Sequence, residues 1–387
     1  MPLVHPFTAM VGLACLSIAA GYGILNLIAI LAWQLRKAPP KNPSQLPPVT
    51  LLKPLCGAEP GLYEQLRSFC RQEYPEFQIV FGMRDPSDPA RSVVDRLVRE
   101  FPAIPIDVVV NPQQHGSSCK ISNLINMLAR ARHDVLALAD SDVCVGPDYL
   151  ATVTAPLLDR NAGLVTCICR GVPTGRIWSR LGAMYINEWY IPSVLLAWLF
   201  GHQGYVSGQS LCLRRETLAA IGGLQAVANQ LADDYQLGEL VRGLGLRIVL
   251  SPYVIRVEHH EPDLASLIRH ELRWMRTIRM LRPRSFRLMF LSFILPLAIV
   301  GIALASAGSA FSIAAWTLFA ATVIARLGLH LAHRLRGDRS AFSDVWLLPV
   351  RDLLLCWVWC RSFLGSRVTW RGNEFDVDSA GVMRKLS

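Results

Sequence analysis

The chain has 387 residues, with 39 Lys and Arg against 29 Asp and Glu for a net charge of +10, 52% hydrophobic residues and 18% charged ones. The charged fraction lies below the soluble norm of roughly 25%, and the length and hydrophobic content leave room for one large domain with several membrane spans. The basic excess is not a nucleic-acid footprint. No nucleic-acid motif accompanies it, and seven arginines between Arg269 and Arg287 face a single acid, Glu271, just ahead of an apolar run, the charge placement of a cytoplasmic segment beside a bilayer.

Residues 6–33 contain no charged side chain, more than the roughly 20 residues that a spanning helix needs, and Arg36, Lys37 and Lys41 follow at once. This reads as an anchor with its N-terminus outside and the rest of the chain entering the cytoplasm; no Lys or Arg precedes the run, as a cleaved signal peptide would require. Pro39, Pro40, Pro43, Pro47 and Pro48 make residues 34–48 a stiff linker. From 49 to 262 short apolar runs alternate with amphipathic ones: strands are predicted at 49–53, 78–83, 106–110 and 135–139, and helices at 61–72, 88–100 and 122–131. This order predicts an α/β fold with a Rossmann-like, mainly parallel sheet, right-handed crossovers and ligands at the carboxyl ends of the strands. No G-x-G-x-x-G or G-K-[ST] loop is present, which argues against a dinucleotide or P-loop site.

Residues 189–201 are apolar but too short to span, and read as ordinary core ahead of an interfacial segment or a lipid groove. A helix is predicted at 233–243, where Asp233 and Asp234 fall in the first turn as ordinary helix-dipole partners would. Residues 264–281 carry Leu267, Ile268, Leu272, Met275, Ile278 and Leu281 on one stripe and Arg269, Arg273, Arg276 and Arg279 on another, so 263–287 is expected to lie at the membrane surface with its arginines toward lipid phosphates. His270, Arg273 and Trp274 share a face of that helix. Residues 288–366 have room for two spans, with Arg334, Arg336 and Arg339 marking a return to the cytoplasm; 345–364 is then either a third span or an interfacial pair of short helices. Residues 367–387 read as a short polar tail. Ten cysteines lack zinc-ligand spacing and are expected to be mostly reduced and buried.

The chemistry centres on Asp140-Ser141-Asp142, which directly follows the apolar run 135–139. In extended backbone, residues i and i+2 point to one side, so both carboxylates can face one cation or one diphosphate. An Asp-rich turn bonding its own backbone is the competing reading of those residues alone. Asp85 falls at another predicted strand end, and so can converge with Asp140. A membrane-anchored α/β domain with such acids and an Arg-Trp helix fits sugar transfer from a nucleotide donor to a lipid, which needs a divalent cation on the diphosphate, a carboxylate base and positive side chains around the leaving group.

Leu51-Leu52-Lys53-Pro54-Leu55, Asp85 with Asp88-Pro89, Lys120-Ile121 with Asn123-Leu124, Asp140-Ser141-Asp142, Ala232-Asp233-Asp234-Tyr235, Arg273-Trp274 and Trp370-Arg371-Gly372 occur in the order seen in ceramide glucosyltransferase-like enzymes, which the chain resembles over nearly its whole length. Those enzymes are membrane relatives of inverting GT-A glycosyltransferases. Asn187-Glu188-Trp189, residues 208–215 and residues 270–277 look closer to a bacterial branch associated with hopanoid biosynthesis, which implies transfer of N-acetylglucosamine from UDP-GlcNAc to bacteriohopanetetrol at a bacterial inner membrane. The resemblance implies a cytoplasmic GT-A domain, with Asp85, Lys120, Asp140 and His270 holding the nucleotide-sugar, Asp140 and Asp142 a Mg2+ or Mn2+ ion, and Asp234 as base with Asp233 as the alternative. Arg273 and Trp274 would line the donor-acceptor junction of the (Q/R)xxRW motif, whose first position is here His270. A ceramide glucosyltransferase using UDP-glucose, a processive polysaccharide synthase and a non-catalytic membrane scaffold are the competing readings; the four aspartates argue against the scaffold.

Overall fold

The computed structural model describes residues 6–36, 46–202, 204–305, 312–334, 342–370, 373–378 and 381–385. The chain forms two compact units. One comprises Lys37–Val172, Gly201–Glu258 and Gly372–Ser387, and the other Met1–Arg36, Pro173–Phe200 and His259–Arg371.

The first unit is built on an eight-stranded sheet of β1 Val49–Pro54, β2 Phe77–Met83, β3 Ile106–Val110, β4 Val135–Ala139, β5 Val143–Cys144, β6 Ala162–Pro173, β7 Ser210–Arg214 and β8 Arg247–His259, in the spatial order β3-β2-β1-β4-β7-β6-β8-β5. β1 to β4 are parallel, with Val49 opposite Phe77 and Val135. β7 runs antiparallel to both β4 and β6. The parallel half follows from sequence: β4 is Val-Leu-Ala-Leu-Ala, buried at every position, as a strand covered on both faces must be. Leu52, Val80, Leu136, Leu138 and Leu213 join the helices Cys119–Leu128 and Asp233–Gly243 in one core. Parallel pairing sends the carboxyl ends of β1, β2 and β4 to one edge, where the acids lie.

In the second unit, helix Pro6–Gln34 packs on Ile294–Ala305 and Ser312–Arg334. A Cβ at Gly12 would come within 2.6 Å of the Gly301 carbonyl, and one at Gly301 within 2.8 Å of Leu16. Small residues therefore set the close approach of the two backbones. Phe7–Gln34 and Ser312–Ala332 are long and apolar enough to cross a membrane, and Pro283–Ser292 with Ile294–Ala305, bent by 66°, makes a third if the pair counts as one span. The Arg36 guanidinium lies 4.9 Å from the Trp33 ring and 4.8 Å from the Trp198 ring, an arrangement suited to a membrane interface.

Several expectations change here. Residues 345–364 form one 16-residue helix, Leu347–Ser362, rather than two short ones. Its charges are paired: Arg351 makes a two-pronged ion pair with Glu271 (2.5 and 2.8 Å), and Asp352 takes both prongs of Arg326 (2.9 and 2.8 Å). Helix Leu264–Leu281 has the expected bounds, yet it buries Glu271 beside Leu267 and Met275. Arg276 and Arg279 donate to the carbonyls of Arg367, Leu364, Ser362 and Gly365, so neither is left for lipid phosphate alone. The core reading of 189–201 holds for Ile191, Pro192, Leu195 and Leu196, whereas Leu199 and Phe200 are exposed. All ten cysteines are free, but only Cys70, Cys167, Cys169 and Cys212 are buried. The tail is not simply polar: Asn373–Val377 and Met383–Lys385 pair as antiparallel strands and bury Phe375, Val377 and Met383. Arg371, Gly372 and most of the predicted linker lie outside the described residues.

Candidate active site

At the end of β4 the chain turns through Asp140 and Asp142. Lys53, fully buried in β1, donates to the Asp140 carbonyl, and its ammonium sits 3.8 Å from the Phe69 ring centre. Burial pulls the Lys53 pKa down to about 7 against the raising pull of Asp142 and Asp140. Burial pushes Asp142 up to about 7, with Asp140 and Glu59 adding to the rise and Lys53 opposing it. Asp142 Oδ1 is buried and has no protein partner, a costly state for a carboxylate oxygen.

Helix Cys119–Leu128 begins three residues earlier than its periodicity predicts, because Ser118 caps it by accepting from the Ile121 N–H (3.3 Å). Lys120 thus enters the first turn. Its ammonium lies 2.5 Å from Asp140 Oδ1 and donates to the Gly208 carbonyl at 3.0 Å. Burial works against the Lys120 charge, but Asp140, Asp233 and Asp234 outweigh it and the pKa rises.

The loop before β7 joins the two acid pairs. The Gly208 N–H donates to Asp234 Oδ2 (2.7 Å), while the Tyr235 N–H donates to Asp234 Oδ1 (2.7 Å). A Cβ on Gly208 would come within 3.2 Å of Asp234, so this approach suits glycine. Asp233 accepts from the Asp234 N–H at 3.0 Å. Burial pushes Asp233 up to about 6, Lys120 pulls against it, and Asp234 and Asp140 reinforce it. Burial also raises Asp234, with the N–H groups of Gly208 and Tyr235 pulling the other way. Lys53, Lys120, Asp140, Asp142, Asp233 and Asp234 form one rim of four acids and two amines.

Asp85 makes its hydrogen bonds within its own turn. Its exposed carboxylate accepts from the N–H (2.8 Å) and hydroxyl (2.6 Å) of Ser87, which lower its pKa. His270, Arg273 and Trp274 belong to the second unit. There the Trp274 ring stacks on Tyr185 at 5.2 Å and meets His270 at 4.1 Å. His270 Nδ1 lies 2.8 Å from Glu261 Oε1. Burial opposes ionisation of Glu261, but hydrogen bonds from His270 and Ser266 lower its pKa, so Glu261 accepts and His270 Nδ1–H donates. Sequence reasoning gave no role to Lys53 or Gly208. Lys53 sits in a quoted motif, and a lysine inside an apolar strand was the available signal; Gly208 left none, because its contacts are all through the backbone.

Among the described residues, no group of three His, Cys, Asp or Glu side chains is arranged to hold a metal by itself. Asp140 with Asp142 is the hard-oxygen pair on hand, and the partnerless Asp142 Oδ1 is an oxygen that would suit a divalent cation.

The family model described as glycosyl transferase family 21 matches residues 13–383. Ceramide glucosyltransferase 1 of Caenorhabditis elegans is 22% identical over 358 residues, covering 88% of this chain and 73% of the relative. A ceramide glucosyltransferase of Komagataella phaffii is 30% identical over 157 residues, 37% of this chain and 31% of the relative. Among solved structures, a mannosyltransferase from Pyrobaculum calidifontis in complex with GDP-Man and Mn2+ matches with a TM-score of 0.50 and 16% identity, covering 90% of this chain and 99% of that one. This likeness shows the GT-A fold.

Proposed function

The chain belongs to glycosyl transferase family 21 and is a glycosyltransferase, and from that premise we propose that it moves a sugar from UDP to a hydroxyl of a membrane lipid with inversion at the anomeric carbon. The observation that carries this reading is the rim in which Asp234 is aimed by two backbone N–H groups within reach of the Lys120–Asp140 pair.

Asp234 acts as the base. Each of its oxygens accepts one N–H, which fixes the carboxylate plane and leaves a lone pair on each oxygen for the acceptor proton. Burial raises its basicity for that task. Lys120 holds positive charge against the departing diphosphate and keeps Asp140 in place. Asp140 and Asp142 hold Mg2+ or Mn2+, which when bound neutralises the leaving diphosphate. Asp85 holds the uridine side, and His270, Arg273 and Trp274 serve donor and acceptor, with Glu261 setting the His270 ring. The transferase domain, expected at residues 49–262, is here the sheet-bearing unit of Lys37–Val172, Gly201–Glu258 and Gly372–Ser387, on the cytoplasmic side of a bacterial inner membrane, with residues 173–200 in the helical unit. The placement of Arg36, Lys37, Arg334 and Arg336 next to the spans supports that orientation.

For the substrate pair, the segments at 187–189, 208–215 and 270–277 favour N-acetylglucosamine and a hopanoid polyol. The names of the relatives favour glucose and ceramide. The deciding experiment is UDP release by the purified protein from UDP-GlcNAc and UDP-glucose, with bacteriohopanetetrol or ceramide as acceptor, with and without Mg2+ or Mn2+. Mass spectrometry then identifies the product. Metal-independent release, or no acceptor-dependent release from any pair, overturns the proposal.

A further inference from the structure

We propose that Asn229 and the strand Met383–Lys385 position the Asp233–Asp234 pair. The inference rests on the reading of Asp234 as base.

Residues 228–231 are the last stretch of chain before the helix Asp233–Gly243, and they are gripped from two sides. On one side, the Ser118 N–H donates to the Ala228 carbonyl (2.9 Å), and the Ser117 N–H to Asn229 Oδ1 (2.8 Å). Ser117 and Ser118 open the helix that carries Lys120. A Cβ on Gly116 would come within 2.5 Å of the Ala228 carbonyl, so this side has no slack. On the other side, the Met383 N–H donates to the Asn229 carbonyl and the Leu231 N–H to the Gly381 carbonyl, both at 2.9 Å. Gln230 and Val382 form an antiparallel bridge between those two bonds. The Ser117 hydroxyl closes the circuit, 2.9 Å from the Met383 carbonyl and 3.2 Å from Asn229 Oδ1.

Asn229 therefore touches both walls, Ser117 through its side chain and Met383 through its backbone. The two segments it joins lead directly to Lys120 and to the acid pair. Met383, 2% exposed, is docked rather than passing by. The Asp234 carboxylate must meet a hydroxyl proton in near-attack geometry, and a misplacement of about 1 Å costs about 100-fold in rate. A loop held on one side alone has that freedom, whereas one held on both does not.

The test uses the full chain in lipid nanodiscs, with Asn229→Ala, Asn229→Asp and a chain lacking residues 373–387. Asn229→Ala is expected to lower kcat about 10- to 100-fold while leaving the donor KM within about twofold. Asn229→Asp keeps an oxygen acceptor for the Ser117 N–H and should return kcat to within about threefold of wild type. The truncated chain should match Asn229→Ala; if it does not fold, the two Asn229 variants decide. Wild-type kcat in Asn229→Ala, or equal impairment of both variants, overturns the inference. Asp234→Asn is measured alongside. Activity in that variant refutes the base itself, whereas an inactive Asp234→Asn beside a fully active Asn229→Ala refutes only the positioning role.

Discussion

The two units bury charge in opposite ways. In the helical unit, each charged group of the central network meets an opposite charge, although Arg351 Nε itself has no partner: Arg326 bonds Asp352 and Glu188, His330 bonds the other oxygen of Glu188, and Arg351 grips Glu271. At the sheet edge of the other unit, four acids share two amines, Asp142 keeps a partnerless oxygen, and burial pushes Asp142 and Asp233 up to about 7 and about 6. A balanced network holds helices together where unpaired charge is intolerable. An unbalanced one stores unmet demand for a cation and a proton, which is what a transfer site needs.

The largest expected effect comes from the unbalanced rim. Asp234→Asn should lower kcat by about 100- to 10,000-fold with UDP affinity retained, as measured by calorimetry. Equal losses of turnover and affinity would instead make Asp234 a donor ligand. Next is the balanced network. Arg326→Met removes the guanidinium shared by Glu188 and Asp352, leaving the His330 contact to Glu188, and should cost about 3–5 kcal/mol, read as a large fall in melting temperature. Replacing all of Arg326, Glu188 and Asp352 with apolar residues of similar volume should recover much of it.

A smaller, pH-dependent effect separates the two clusters further. With the Asp233 pKa raised to about 6, the folded protein holds a proton that the unfolded chain releases from about pH 4 upward. The stabilising contribution of that proton is full below pH 4 and is lost as pH rises through 6. Asp233→Asn, neutral throughout, should match wild type near pH 4 and melt progressively higher than it up to about pH 6. The gain is at most about 3 kcal/mol, reduced by the partial access of water to this residue. A constant difference across that range would show that Asp233 is not held protonated. Smallest of all, Arg160→Ala breaks an ion pair with Glu216 whose side chains are 80% and 63% exposed. It should shift stability by less than about 1 kcal/mol, which sets the baseline for charges that are not buried.

The four parallel strands and the helix Asp233–Gly243 were legible because apolar runs and 3.6-residue periodicity are local properties. The place of Asp140 and Asp142 just after β4 was legible for a related reason: the apolar run that makes the strand ends at Ala139. Less was readable in the Leu264–Leu281 stripe. Glu271 interrupts the basic-apolar pattern as one more charge, and nothing nearby in sequence names its partner Arg351, 80 residues away. Periodicity likewise missed the start of the Lys120 helix, since the cap Ser118 precedes the apolar repeat.

By itself, the sequence determined the α/β organisation with its long apolar helices, the strand-end acids and the family they belong to, because burial patterns and motif order are written along the chain. Only the tertiary structure decided which charges are neutralised and which are left in demand. It also decided that Lys53 backs the acid pair, that Gly208 and Tyr235 aim Asp234, and that the last strand grips the loop before it. These are contacts between residues 26 to 266 positions apart or made by backbone atoms, and backbone atoms are the same in every residue, so no side-chain pattern can announce them.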